Sequence, residues 1–135
     1  MNRILVIDRD RALGASLAMT CLERGVAIRM AETLCEGVRY MMEAPVSAVL
    51  VDSGALRLAG PDHGRLLDLV APGVPVVVTV SEGTRVEERV QLELQGFRVL
   101  AKPFAPGDVL DKIDWAAERK ATGPGAAAEL RKVCG

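Results

Sequence analysis

Residues 46–52 read Val46-Ser47-Ala48-Val49-Leu50-Val51-Asp52, an apolar run broken only by Ser47 and closed by an acid. A run this short and this uniformly apolar suits a strand covered on both faces, as in a parallel sheet. Upstream, Arg3-Ile4-Leu5-Val6-Ile7 repeats the pattern and ends on Asp8. Between the two, Asp10 is a good N-cap for a helix running to about Arg24, with Gly25 as its stop. Val26 to Met30 reads as a further strand, and Glu32 to about Glu43 as a second helix closed by Pro45.

Downstream, Ser53 to His63 reads as a long loop containing two glycines and a proline, followed by a short helix from Gly64 to Ala71. Val74 to Val80 is a fourth strand ending at Ser81. A helix from about Thr84 to Gln95 stops at Gly96, and Phe97 to Ala101 forms the fifth strand, closed by Lys102-Pro103-Phe104. The last helix begins near Pro106 and carries Val109, Leu110, Ile113, Ala116 and Ala117 on one face, with Trp115 opposite and expected to be exposed or covered by a partner or the tail. The expected division is a domain over 1–120 and a tail or linker over 121–135, where a short helix could form.

Strands alternating with helices imply an α/β fold, a parallel sheet with right-handed crossovers and helices on both faces. In such sheets chemistry gathers at the carboxyl ends of the strands. Asp8, Asp52, Ser81 and Lys102 each follow an apolar strand directly, so they share one sheet edge. Two carboxylates, a hydroxyl and an amine suit phosphoryl transfer: a carboxylate attacks phosphorus, and the other groups hold its oxygens.

Composition narrows the field. The chain has 135 residues, enough for one domain, and half are apolar, so a sizeable core can be buried. A net charge of −1 leaves no basic excess for nucleic acid. No apolar run approaches the roughly 20 residues of a membrane span, and the N-terminus reads as a strand rather than a signal peptide. Cys21, Cys35 and Cys134 lack metal-binding spacing, and His63 has no Cys or His neighbour. Unpaired thiols in a reducing cytoplasm are the expected state.

From Arg3 to about Arg119 the chain resembles the receiver domains of two-component response regulators. Ile4-Leu5-Val6-Ile7-Asp8 is similar to the family's first strand and acidic pocket, and Ala48-Val49-Leu50-Val51-Asp52 to its third strand and phosphoacceptor. Ser81 matches the hydroxyl after strand four, with Thr79 a nearby rival, and Lys102-Pro103-Phe104 matches the family's lysine and proline. The resemblance implies a doubly wound, flavodoxin-like sheet of five strands in the order 2-1-3-4-5. It also implies a phosphoryl-accepting Asp52 assisted by Ser81 and Lys102, and a cis peptide before Pro103. A magnesium ion would be held by Asp8, Asp52 and the carbonyl of Gly54. The implied partners are a histidine kinase or phosphotransfer protein upstream and a protein docking on the helix 4, strand 5, helix 5 face downstream. The setting is cytoplasmic signalling rather than enzymatic turnover.

Four departures qualify that expectation. Arg9 stands where the family has a second metal-binding acid. Ser53-Gly54-Ala55-Leu56 replaces the usual Met-Pro after the phosphoacceptor, the loop there is longer, and Val99 replaces the aromatic switch residue. With Arg9 and Lys102 opposite Asp8 and Asp52, the pocket is formally neutral, which weakens the case for magnesium. Arg9 either fills the ion's place, within hydrogen-bonding reach of Asp8 or Asp52, or carries its charge to solvent on a long stem. Asp10 is a substitute ligand or simply a helix cap. A pseudo-receiver, binding partners without phosphorylation, is the alternative. A haloacid-dehalogenase-like phosphatase is suggested by Asp8-Arg9-Asp10 but opposed by the order of Asp52, Ser81 and Lys102.

Overall fold

A computed structural model describes residues 2–59 and 72–121, with side chains through residue 56 in the first segment and through 113 in the second. The strands are β1 (Asn2–Ile7), β2 (Val26–Ala31), β3 (Ala48–Asp52), β4 (Val76–Val80) and β5 (Arg98–Ala101). The helices are α1 (Arg11–Glu23), α2 (Leu34–Glu43), α3 (Ser53–Ala59), α4 (Val86–Leu94) and α5 (Pro106–Ala121). All the strand pairs are parallel, in the order β2-β1-β3-β4-β5. This is the doubly wound order expected from the sequence, and it places β3 at the centre.

The alternation of side chains along each strand divides the core in two. Leu5, Ile7, Val49, Val51, Val78 and Val80 pack in one cluster with Leu34 and Met41 of α2. Ile4, Val6, Leu50 and Val77 pack in the other with Leu17 of α1 and Val109, Leu110 and Ile113 of α5. Both faces of the sheet are therefore covered, which is why the strands carry so few polar residues.

The helix boundaries follow local chemistry. Asp10 accepts hydrogen bonds from the amides of Ala12 and Leu13, capping α1. Gly25 and Gly96, both at positive φ, stop α1 and α4. At Gly37, in α2, a Cβ would lie 2.6 Å from Ile7 Cδ1, so glycine lets this helix sit close on β1. Replacing Asp10 by alanine is expected to cost about 0.5–2 kcal/mol through loss of the cap. Urea unfolding checks this, and Asp10→Asn, which keeps a cap, should recover most of the loss.

One expectation needs correction. Residues 53–59, read as loop, form α3 directly after β3. Asp52 accepts the Gly54 amide on Oδ2, taking up one of the amides that a helix start leaves without a partner. Ala55 and Leu56 pack against the first core cluster. The helix expected over 64–71 and the tail beyond Ala121 lie outside the described residues, as do His63, Cys134 and the Trp115 side chain.

At the outer side of the sheet, Lys112 of α5 donates to the carbonyl oxygen of Val99 in β5. Val99 itself is buried at the expected switch position, packed in the first cluster. No helix among the described residues is long and apolar enough to cross a membrane.

Candidate functional site

Asp8 follows β1, Asp52 ends β3, and Lys102 follows β5, all at the carboxyl edge of the sheet. β4 lies between β3 and β5, so Lys102 has to cross it to reach Asp52. The chain there is anchored by the Lys102 amide, which donates to the Val80 carbonyl at 2.8 Å. The next peptide, Lys102–Pro103, is cis, as the resemblance implied.

Lys102 Nζ lies 2.9 Å from Asp8 Oδ2 and 3.3 Å from Asp52 Oδ1, bridging the two carboxylates. The remaining oxygens are also engaged. Asp8 Oδ1 accepts from the Asp10 amide at 3.0 Å, and Asp52 Oδ2 from the Gly54 amide at 3.1 Å. Gly54 permits this close approach, because a Cβ there would lie 2.8 Å from Asp52 Oδ2. Burial by itself would push the Lys102 amine down. Hydrogen bonding to Asp8 and the charges of Asp52 and Asp8 outweigh it, so the net shift is upward.

Asp8 is buried, while Asp52 and Lys102 are each about one-third exposed, so solvent reaches the bridge. Both acids line a cleft of about 320 Å³. Its lining includes Arg9, Glu32, Thr33, Cys35 and Ala55 besides Asp8 and Asp52. Sequence reasoning did not single out Thr33 or Cys35. The signal was available, because the β2–α2 turn reaches the same sheet edge as the acids.

The other candidates are not all drawn in. Arg9 is exposed and, among the described residues, makes no ion pair with Asp8 or Asp52. The cation that bridges the acids is Lys102, and Arg9 stands beside them at the wall of the cleft. Asp10 is occupied as a cap. Ser81 is exposed, and its hydroxyl pairs with that of Thr84 at 2.9 Å rather than with the acids or Lys102. Thr79 is opposite Asp52 in the β3–β4 register. It is buried, and its Oγ1 has no hydrogen-bond partner among the described residues. Burial also pushes the Cys21 thiol up, against a smaller opposing influence of Arg24.

A carboxylate pair bridged by one ammonium offers Asp52 as a nucleophile reachable from the cleft, with a positive charge beside the point where phosphoryl oxygens would collect.

Comparison with known proteins bears on this arrangement. No protein-family model matches the chain. The chain is 30% identical over 112 residues to the probable transcriptional regulatory protein SilR of Salmonella typhimurium, covering 82% of this chain and 49% of SilR. It spans half or less of the length of the curated relatives it matches. Among solved structures, the beryllofluoride-activated NtrC4 receiver domain dimer superposes with a TM-score of 0.75 at 25% identity, covering 89% of this chain and 99% of that one. A CheY-like response regulator receiver domain protein from Methanospirillum hungatei gives 0.71 at 25% identity, covering 91% and 99%.

Proposed function

Because the chain is a receiver domain of the response-regulator family, we propose that its phosphoacceptor is Asp52. The observation that carries this reading is the Lys102 bridge from Asp8 to Asp52 at the end of the central strand. The upstream donor is a histidine kinase or phosphotransfer protein in the cytoplasm. The domain works as a switch in a relay rather than as an enzyme with a released product.

In this reading Lys102 changes partners. Its amine holds the two carboxylates while Asp52 is free and moves to the phosphoryl oxygens once Asp52 is modified. Ser81 assists only after its hydroxyl leaves Thr84. The output leaves through α4, β5 and α5. Exposed apolar residues on α4 favour that face, since Val86 and Leu94 are 70% and 80% exposed.

The pseudo-receiver remains the second reading. It is favoured by the departures at Arg9 and by the engagement of every oxygen of Asp8 and Asp52 with a donor.

Intact-protein and peptide mass spectrometry after treatment with a small acyl-phosphate donor separates the two. Wild type is expected to gain one phosphoryl group, on the peptide containing Asp52, and Asp52→Asn to gain none. Label persisting in Asp52→Asn removes Asp52 as acceptor. Complete absence of label from wild type favours the binding module.

A further inference from the structure

The donor set at the pocket does not fit a divalent cation. Such an ion needs several free oxygens, and magnesium demands near-octahedral geometry. Asp8 and Asp52 supply only two carboxylates, and each of their four oxygens already accepts one hydrogen from nitrogen, so an ion would share them with those donors. Asp10, the substitute acid, has its Oδ1 turned to the amides of α1. Among the described residues no group of three or more acidic, histidine or cysteine side chains could hold a metal.

Charge points the same way. Lys102 stands between the two acids, Arg9 adds a second positive charge at the cleft wall, and Glu32, the further acid lining the cleft, is paired with Arg11. An incoming metal would have to displace the ammonium and approach a guanidinium.

We propose that this receiver pocket works without a metal ion, with Lys102 and Arg9 supplying the positive charge that a phosphoryl group requires. The proposal rests on the reading of Asp52 as acceptor. An Asp52 oxygen attacks phosphorus of an acyl phosphate. The bond from phosphorus to the donor's bridging oxygen breaks, and the donor leaves as a carboxylate with that electron pair. No proton or redox equivalent is exchanged. Arg9, unpaired among the described residues and beside the cleft, is free to meet the phosphoryl oxygens in paired hydrogen bonds. Lys102 follows them from the inner side.

Two measurements on the full chain test this. The first is a magnesium titration by calorimetry of wild type and Arg9→Asp. Arg9 is exposed, so the exchange removes no core packing. The expected result is no saturable binding by wild type and binding at least about tenfold tighter by the variant, because the local charge falls by two units. Wild type titrating as tightly as the variant overturns the proposal.

The second is phosphoryl uptake from a small acyl phosphate in magnesium or in chelator. Rates in the two buffers are expected to agree within about threefold, and Arg9→Ala to lose about tenfold or more in both, as expected for one charge-assisted contact in the transition state. A larger dependence on magnesium overturns metal independence. Uptake unchanged in Arg9→Ala overturns the role of Arg9. Absence of uptake in both buffers overturns Asp52 as acceptor, and the titration then decides the metal question by itself.

Discussion

Leu50→Ala is expected to lower the unfolding free energy by about 2–5 kcal/mol, the range for emptying a well-packed leucine site. Leu50 lies on the central strand, 1% exposed, in the cluster that joins the sheet to α1 and α5. Its neighbours on either side of the strand belong to the opposite cluster, so they cannot turn to fill the cavity. Leu94→Ala is the contrast. That side chain is 80% exposed, and its loss should change stability by less than about 0.5 kcal/mol. Urea unfolding of both variants beside wild type gives the comparison. Equal midpoints for Leu50→Ala and wild type would mean that β3 is not the core strand described here.

Lys102→Ala should cost about 1–3 kcal/mol at neutral pH, because Asp8 is left buried with one oxygen unpaired and beside a second carboxylate. Partial exposure of Lys102 and Asp52 admits solvent and keeps the loss below that of a fully buried pair. The pH dependence has a definite sign. The Lys102 pKa is raised on folding, so its contribution is fully present below the unfolded value of 10.5 and is lost as pH rises through the higher folded value. The stability gap between wild type and Lys102→Ala should therefore be constant through the neutral range and close only in strong alkali. Denaturant midpoints measured across that range check it. A gap closing near neutrality would show that another group titrates with the bridge.

The strands and their order were legible because the central ones are covered on both faces. Val76 to Val80 has one polar residue in five, and such runs have few alternatives to a parallel sheet. The shared edge followed from topology alone, which brought Asp8, Asp52 and Lys102 together before any distance was known. α3 was hidden because it has seven residues, too few for a helical period to show. Its start uses the Asp52 side chain, a local signal that was read only as a site acid, while the packing of Ala55 and Leu56 against the core is not a local sequence preference. Ser81 illustrates a different limit. Its position after β4 is readable, but its side chain turns toward Thr84, and that choice belongs to the turn. At Arg9 the flexible stem separates backbone position from the position of the charge, so spacing could not say which cation bridges the acids.

The bond from Lys112 to Val99 matters beyond the domain's own packing. β5 is one of the two edge strands, and backbone groups on its outer side would otherwise offer a template to any extended chain. The strand is only four residues long, and the carbonyl near its middle is held by a charged amine from α5. An intruding strand would have to strip that amine from its carbonyl and bring backbone against an ammonium group. Aggregation by edge-to-edge pairing is thereby discouraged on this side of the sheet.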